Sequence, residues 1–243
     1  MSAPAAGQLG PSQRSALLLN NPDSPIEMVF RVGPHYPHRT FRIRVKIQEC
    51  KGVLTFPAMQ RPALIVIDML NEFLEKWVPA RRQELVRSIN ELVGLMRQLG
   101  RPVIWVRQEF EPDLRDAFPE MKDKGIRITI KGTPGCEIVS DLAVDPSDPV
   151  VVKKRYSAFF GTELEQMLER WKPDALILAG INTHACVRMT AIDAYQRDWR
   201  VVLAADCVDS YDREHHDVSM KYMKDKIATV MTNQELRSEL AVK

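Results

Sequence analysis

The segment Ala175-Leu-Ile-Leu-Ala-Gly-Ile-Asn-Thr-His-Ala-Cys-Val187 gives the clearest indication of the fold of this 243-residue chain. Its first five residues form an apolar run typical of a buried β-strand, and the residues from Arg188 onward have the pattern of an α-helix. Cys186 therefore opens a helix directly after a strand, where backbone N–H groups and the helix dipole favour a thiolate. This position is typical of a nucleophile, although most single cysteines are small buried hydrophobic residues.

Two other strands end in residues suited to work with such a thiol. Ala63-Leu-Ile-Val-Ile-Asp68 is an apolar strand that runs into a carboxylate, and Pro149-Val-Val-Val-Lys153 is one that runs into an amine. Open α/β folds bind their ligands at the carboxyl ends of parallel strands. We therefore expect Asp68 to act as a base and Lys153 to supply a positive charge at the edge that holds the cysteine.

Strands and helices alternate along the rest of the chain. The spacing of apolar residues predicts helices at 81–99 and 162–171, and strands at 102–106, 201–205 and 228–231. Thr162 and Glu165 have the spacing of a capping box at the start of the second helix. This order predicts an α/β fold with a doubly wound, mostly parallel six-stranded sheet and helices on both of its faces.

Three motifs carry a resemblance to a known family. They are Ile67-Asp-Met-Leu-Asn-Glu-Phe73, Lys153-Lys-Arg-Tyr-Ser-Ala-Phe159 followed by Gly161-Thr-Glu-Leu164, and Ala179-Gly-Ile-Asn-Thr-His-Ala-Cys-Val187. With these motifs, the chain from about residue 61 to about residue 235 resembles the isochorismatase-like cysteine hydrolases. That family includes nicotinamidases, N-carbamoylsarcosine amidases, ureidoacrylate amidohydrolases and biuret hydrolases.

The resemblance implies a catalytic triad of Asp68, Lys153 and Cys186. Lys153 is favoured over Lys154 because it stands three residues before the tyrosine of the motif. The resemblance also implies a cis peptide bond between Ile181 and Asn182, and an oxyanion hole formed by the backbone N–H groups of Asn182 and Cys186.

The expected chemistry follows from these residue types. Asp68 accepts the thiol proton, the thiolate attacks an amide-like carbonyl, and Lys153 lowers the pKa of the thiol. Arg107 and Arg188 are the basic residues best placed in the sequence to meet an anionic substrate. Candidate pocket residues are the aromatic or basic residues near the motifs, although each aromatic residue taken alone is more often part of a core: Phe73, Trp105, Arg107, Tyr156 and Phe159.

The chain departs from the family pattern at two places. Leu70 stands where many members have a glutamine two residues after the aspartate, which makes the substrate harder to assign. Nicotinamidases typically carry an Asp-x-His metal site, but residues 105–115 contain no histidine. His215 and His216 are adjacent in sequence, and neighbouring helical residues point about 100° apart rather than at one ion. We therefore expect no metal and no cofactor.

Three functions remain open. The first is hydrolysis of a C–N bond in a small amide, ureide or carbamoyl compound through a cysteine thioester. The second is hydrolysis of a vinyl ether, as in isochorismatases, which requires no thiol nucleophile, so that the presence of Cys186 counts against it. The third is a catalytically silent binding protein, which an intact triad disfavours.

Composition sets further expectations. The net charge of +2 is too small to imply a nucleic-acid partner, and no apolar run approaches the length needed to span a membrane. The four cysteines lack CxxC pairs, which fits a reducing cytoplasm. We therefore expect a cytoplasmic enzyme with a small-molecule substrate.

The N-terminal 60 residues lie outside the resemblance. Residues 1–25 are rich in Ala, Gly, Pro and Ser, and we expect them to be disordered. In residues 26–60, the alternation of Phe41, Ile43, Val45 and Ile47 predicts a strand that is an added edge strand or a dimer arm. The alternative is that the segment before Met59 is only a loosely attached extension. The hydrolase domain is expected at 61–243, and the whole chain is expected to form a homo-oligomer, a dimer or tetramer.

Overall fold

The computed structural model describes residues 59–224 and 226–241, together with the backbone of two N-terminal strands. Strands β1 (Ile26–Arg31) and β2 (Thr40–Val45) pair in antiparallel register as a separate two-stranded sheet. They belong to a compact unit at Met1–Thr55, distinct from the unit at Phe56–Lys243. The expected disorder of residues 1–25 lies outside the described residues, and the role of residues 26–60 as edge strand or dimer arm stays a prediction.

The second unit alternates strands and helices. Its elements are β3 (Ala63–Ile67), α1 (Asn71–Leu74), α2 (Pro79–Gln98), β4 (Val103–Gln108), α3 (Pro119–Lys124), β5 (Val150–Lys153), α4 (Leu164–Trp171), β6 (Leu176–Gly180), α5 (Arg188–Gln196), β7 (Val201–Val208), α6 (Arg213–Met223), β8 (Thr229–Met231) and α7 (Asn233–Ala241). A 3₁₀ turn at Pro134–Cys136 and a π-helical turn at Thr183–Val187 complete the set.

The six strands β3 to β8 form one parallel sheet in the order β5-β4-β3-β6-β7-β8. Strands β4 and β5 lie in succession on one side of β3, and β6, β7 and β8 lie in succession on its other side. The direction of winding therefore reverses between β3 and β6, which is where open α/β sheets bind ligands. The predicted six-stranded α/β fold is confirmed.

The sheet is buried on both faces because its strands alternate large apolar side chains to either side. Leu64 and Val66 of β3 pack in a cluster with residues of α2 and α7. Ile65 and Ile67 pack in the opposite cluster with residues of α4, α5 and α6. All five residues of β3 are buried, which explains why this strand reads as a continuous apolar run.

Two helix boundaries differ from the sequence prediction. Helix α2 begins at Pro79, two residues early, because proline is well suited to the first helical position. Helix α4 begins at Leu164, and the predicted capping box is wrong: Thr162 Oγ1 accepts from the Leu164 N–H at 3.3 Å, while Glu165 pairs with Arg197 at 3.2 Å.

None of the helices in the described ranges has the length and apolar character needed to cross a membrane.

Candidate active site

Asp68 follows directly after β3 and turns the chain out of the sheet. Its φ of 53° lies in the left-handed region, which aspartate tolerates better than most residues. Its N–H donates to the carbonyl of Val106 on β4 at 2.8 Å, and its own carbonyl accepts from the Leu70 N–H at 2.7 Å. These bonds fix the carboxylate at the carboxyl edge of the sheet, where it is fully buried.

Lys153 is the last residue of β5, and its side chain crosses over the end of β4 to reach Asp68. Its Nζ lies 2.7 Å from Asp68 Oδ2, 3.3 Å from Cys186 Sγ and 3.1 Å from the carbonyl of Arg155. The ammonium and the carboxylate are both fully buried. A buried charge pair of this kind requires each member to stay in place, because removal of one leaves the other uncompensated.

Cys186 lies in the π-helical turn between β6 and α5. Gly180 at the end of β6 has a φ of 106°, and a Cβ there would stand 2.0 Å from the carbonyl oxygen of Ile67. The peptide bond between Ile181 and Asn182 is cis, as the resemblance implied. The Ile181 N–H donates to the Ile67 carbonyl at 2.9 Å, so the turn that carries the cysteine is tied to the strand that carries Asp68.

The structure therefore brings Asp68, Lys153 and Cys186 together at the point where the sheet reverses its winding. Lys154 lies elsewhere, since its Nζ donates to the Glu109 carbonyl at 2.5 Å and pairs with Asp116 at 3.0 Å. Adjacent strand residues point to opposite sides, and only Lys153 reaches the thiol.

Burial dominates the electrostatics of the cluster and opposes the lowering of the thiol pKa that we expected from Lys153. Burial raises the pKa of the Cys186 thiol, the Asp68 carboxylate raises it further, and the nearby Lys153 ammonium offsets only part of this increase. For Lys153, burial lowers the pKa, but the interactions with Asp68 and Cys186 outweigh burial and raise it. The resting site is therefore an ion pair beside a neutral thiol, whose proton must move before the sulfur can attack.

The backbone around the thiol folds back on the Asn182 carbonyl, which accepts from the N–H groups of Ala185 at 3.0 Å and Val187 at 3.3 Å. The Asn182 side chain accepts from the Tyr211 N–H at 3.4 Å, which holds that residue from the other side. Backbone N–H groups beside a nucleophile are the usual components of an oxyanion hole. The assignment of that role to the N–H groups of Asn182 and Cys186 stays a prediction.

Most of the predicted pocket residues are parts of the core. Trp105 is 1% exposed, packs on the α2 face of the sheet and donates its Nε1–H to Asp148 at 2.8 Å, so its assignment to the pocket is wrong. Phe73 packs against the same cluster, and Phe159 is buried in the opposite one. Tyr156 is 49% exposed, with its ring centroid 5.1 Å from that of Phe118.

Arg107 does not offer a free positive charge to an anionic substrate. Its guanidinium lies 2.9 Å from Glu109 and 3.0 Å from Glu137, so two carboxylates already neutralise it. Arg188, the other basic candidate, lies with its guanidinium carbon 4.6 Å from the ring centroid of Tyr222 on α6.

Gln108 is a polar residue of this edge that the sequence prediction missed. It is the last residue of β4, opposite Lys153 in the strand register, and is only 4% exposed. Its Nε2 is buried and has no hydrogen-bond acceptor among the described residues. The prediction ended this strand at Val106, which left Gln108 in a loop. A longer strand, aligned with the lysine strand, would have placed it at the site.

A loop segment is fastened to the residues that follow Asp68. Leu70 forms an antiparallel bridge with Ile138, and the Asn71 side chain donates to the Pro134 carbonyl at 2.9 Å. Glu72 Oε2 accepts from the Thr129 N–H at 2.5 Å. These contacts hold residues 129–139 against the segment that carries the carboxylate.

The residues present do not fit a metal site of the nicotinamidase kind. No three His, Cys, Asp or Glu side chains gather around one point in the described part of the chain. Glu111 pairs with Lys131 at 3.0 Å, His215 bonds to Asp212 at 2.7 Å, and His216 bonds to Thr183 at 3.0 Å. We derive no reaction step through a metal.

The fold agrees with comparisons to known proteins. A family model described as the isochorismatase domain matches residues 62–235. The chain belongs to the isochorismatase family. An Arabidopsis thaliana relative named a probable inactive nicotinamidase is 33% identical over 188 residues, which are 74% of this chain and 96% of that protein.

Other relatives carry different activities in their names. The phenazine biosynthesis protein PhzD of Pseudomonas fluorescens is 31% identical over 179 residues, which are 73% of this chain and 85% of that protein. The crystal structure of N-carbamoylsarcosine amidase from Thermoplasma acidophilum is 30% identical, covers 71% of this chain and 96% of its own, and superposes with a TM-score of 0.60. Membership of the family thus supports a hydrolase and leaves the bond that is cleaved open.

Proposed function

We propose that this isochorismatase-family protein is a cysteine hydrolase that cleaves a C–N bond of a small amide, ureide or carbamoyl compound. The observation that carries the proposal is the position of Lys153 Nζ, 2.7 Å from Asp68 Oδ2 and 3.3 Å from Cys186 Sγ, with all three residues buried. A thiol, a proton acceptor and a fixed cation in contact are the components of an activated nucleophile.

The reaction begins with the neutral thiol. Asp68 takes the proton of Cys186 as the sulfur attacks the carbonyl carbon, so that a C–S bond forms and the carbonyl oxygen becomes negative. The N–H groups of Asn182 and Cys186 stabilise that oxyanion. The tetrahedral intermediate collapses, the C–N bond breaks, and protonated Asp68 returns its proton to the departing ammonia or amine.

The second half of the reaction regenerates the enzyme. Water attacks the thioester, Asp68 accepts a proton from that water, and the C–S bond breaks to release a carboxylic acid. The thiolate then regains its proton from Asp68. Lys153 keeps its charge throughout, so it stabilises each anionic stage without exchanging a proton.

The carboxylate of Asp68 suits this proton-carrying role. Its Oδ2 lies 2.7 Å from the Lys153 ammonium, and neither of its oxygens accepts a well-aligned hydrogen bond from the described residues. The carboxylate therefore retains lone pairs that can take a proton, whereas a carboxylate saturated by backbone donors would be a poor base.

Vinyl ether hydrolysis of the isochorismatase kind is the second candidate, and the similarity to a probable isochorismatase of Pseudomonas chlororaphis favours it. In that reaction an acid protonates the substrate and no covalent intermediate forms. Cys186 would then take no part in the reaction, although its Sγ lies 3.3 Å from Lys153 Nζ. In a protein without catalytic activity, the buried ion pair of Asp68 and Lys153 would likewise have no catalytic role.

The test is a Cys186→Ala variant assayed beside wild type for ammonia release from nicotinamide, biuret, ureidoacrylate and N-carbamoyl amino acids, and for isochorismate hydrolysis. We expect wild type to release ammonia from a member of this set and Cys186→Ala to lose that activity. Cys207→Ala is the matched control, because Cys207 is buried beside Asn233 at 3.2 Å and makes no contact with the triad. Full activity in Cys186→Ala would rule out the thioester.

A further inference from the structure

The turn that carries Cys186 has an uncommon backbone geometry. The Val187 N–H donates at 3.3 Å to the carbonyl of Asn182, five residues earlier, which gives Thr183–Val187 its π-helical form. A π-helical turn is one residue wider than an α-helical turn, is rare in proteins and occurs frequently at functional sites. The position of the cysteine therefore depends on contacts from outside the turn that keep it from closing to the commoner α-helical form.

Thr183, the first residue of this turn, is held by two neighbouring elements. Its N–H donates to the Asp209 carbonyl at 3.0 Å, and its Oγ1 lies 3.0 Å from Nδ1 of His216. Asp209 follows directly after β7, and His216 lies in the first turn of α6. Thr183 and His216 are both buried, so loss of either polar atom would leave the other without its partner and away from water.

His216 is suited to a fixed contact with a hydroxyl group. Burial lowers the pKa of His216, and the nearby charge of Arg213 lowers it further, so the ring is uncharged at neutral pH. A neutral imidazole has one N–H donor and one acceptor nitrogen, and a hydroxyl group can donate or accept. The bond to Thr183 therefore forms with either tautomer of the ring.

The second neighbour, Asp209, is itself held in place. Arg81 of α2 donates to the Asp209 carboxylate through Nε at 2.6 Å and through Nη2, and its Nη2 also donates to the Ser210 carbonyl at 2.6 Å. Oδ1 of Asp209 lies 4.0 Å from Nδ1 of His216. These contacts join helices α2 and α6 to the start of the turn, so Thr183 is bonded to residues that are themselves fixed.

We propose that His216 is a positioning residue, which keeps Cys186 beside Lys153 by holding the hydroxyl group of Thr183. Without this bond the turn relaxes toward α-helical geometry, and the sulfur moves from its place 3.3 Å from the Lys153 ammonium. A displacement of about 1 Å at a nucleophile is enough to slow a reaction strongly. The effect on turnover rests on the proposed cysteine chemistry, whereas the effect on the thiol itself does not.

The first experiment measures how firmly the thiol is held, without requiring turnover. Cys186 and Cys207 of the full-length protein are alkylated with iodoacetamide, and both rates are followed in the same sample by mass spectrometry. We expect Thr183→Val and His216→Phe to speed alkylation of Cys186 about fivefold or more, the effect of one lost hydrogen bond, because a loosened turn exposes a buried thiol. Cys207 packs on the opposite face of the sheet and should keep its wild-type rate.

Three further variants show whether the effect passes through this bond. Thr183→Ser keeps the hydroxyl group and should be alkylated at close to the wild-type rate. The double variant of Thr183→Val and His216→Phe should be alkylated no faster than either single variant, because both changes remove the same bond. His215→Phe is the matched control, since this neighbouring histidine is exposed and bonds to Asp212 at 2.7 Å.

The second experiment connects the turn to catalysis. With a substrate from the ammonia-release assay, Thr183→Val and His216→Phe should lower kcat about tenfold or more and leave KM nearly unchanged, because the nucleophile and not the substrate is displaced. Faster alkylation of Cys186 together with slower turnover indicates a displaced thiol. A thiol that had only become more reactive would raise both rates, and general unfolding would also expose Cys207.

The outcomes separate this inference from the proposed function. If both variants expose Cys186 and Thr183→Ser does not, while wild type hydrolyses none of the compounds, His216 holds the turn and the proposed reaction fails. If wild type releases ammonia but both variants keep its kcat, the positioning role is overturned. An unchanged alkylation rate of Cys186, an additive double variant, or equal acceleration at Cys207 also overturns it.

Discussion

The unusual feature among individual residues is a neutral thiol beside a buried pair of opposite charges. A cysteine at the start of a helix is expected to ionise easily, but here burial dominates and raises the pKa of Cys186. The ion pair then supplies what the thiol lacks, because Asp68 can take its proton while Lys153 stabilises the charge left on sulfur. Catalytic competence in this arrangement depends on contacts within about 3 Å, which no sequence motif specifies.

The two neighbouring lysines offer a matched pair of substitutions. Lys153→Met should lower kcat by orders of magnitude, because it leaves Asp68 as an uncompensated buried charge and removes the cation from the thiol. Lys154→Met breaks a partly exposed pair with Asp116, which is worth about 0–1 kcal/mol, and a hydrogen bond to the Glu109 carbonyl, neither of which involves the triad, so activity should change little. Both variants change net charge equally, and steady-state kinetics decide between them. A larger loss in Lys154→Met would require a different triad.

The raised pKa of Cys186 predicts a particular pH profile. The ordinary value for a cysteine is 9.0, and the folded-state pKa lies above it. The thiol therefore stays protonated throughout the neutral range, and the alkylation rate of Cys186 should still be rising at pH 9 instead of reaching a plateau. Lys153→Met should raise the pKa further and slow alkylation at each pH. A plateau of the wild-type rate below pH 8 would show that the resting group is a thiolate.

The raised pKa of Cys186 also makes the free energy of unfolding depend on pH. Because the folded-state pKa of the thiol is above its unfolded value, the contribution of Cys186 to the free energy of unfolding is fully present below about pH 9 and is lost as pH rises beyond it. Cys207, whose pKa burial raises to about 12, adds a loss of the same sign.

The secondary-structure elements show why the strands were easier to predict than the pocket. Strands β3 and β6 are buried on both faces, so their sequences are uninterrupted apolar runs that mark the sheet and its carboxyl edge. The pocket residues come from loops and strand ends, whose side-chain directions depend on the register between strands. Arg107 and Gln108 are adjacent in sequence, yet Arg107 pairs with two carboxylates whereas Gln108 is opposite Lys153 in the strand register.

Gly180, the last residue of β6, is in close contact with the strand that leads to Asp68. A Cβ at this position would meet the backbone of Ile67 at 2.0 Å, and its φ of 106° disfavours other residues. Gly180→Ala should lower the free energy of unfolding by about 3 kcal/mol or more, measured by urea denaturation. Gly94→Ala is the control, because nothing lies within 4 Å of a Cβ there and alanine favours helix α2. Equal stabilities of the two variants would contradict the close contact between β3 and β6.

A second prediction for the secondary-structure elements concerns Glu72 of α1, which contacts the loop at residues 129–139. Glu72→Ala removes the acceptor of the Thr129 N–H, so the loop should open more often and the Thr129 amide should exchange its hydrogen faster. Glu75→Ala, directly after the same short helix, is the control, since Glu75 is exposed. Hydrogen exchange measured by mass spectrometry tests this, and unchanged protection across residues 126–139 would show that the bridge between Leu70 and Ile138 holds the loop by itself.

In the molecule as a whole, the chain divides into two units of unequal size. The boundary lies near residue 55, close to where the family match begins at residue 62. The sequence analysis predicted a boundary at residue 61 because the family resemblance begins there, and these domain limits stay a prediction. The sequence analysis did not predict that β1 pairs with β2, because these two segments share no motif.

The association of whole molecules is the remaining prediction. A two-stranded sheet such as β1 and β2 is marginal in water by itself. The sequence alternates apolar and charged residues at 41–47, a pattern from which we expect pairing with a second copy of the chain. We expect the full chain of 27.8 kDa to sediment as a dimer or larger, and residues 59–243 alone to form a smaller assembly. The shortened chain should keep its activity per site, because Asp68, Lys153 and Cys186 all lie within it. A full-length monomer at micromolar concentration would contradict the dimer arm, and an inactive shortened chain would place part of the active site in the N-terminal unit.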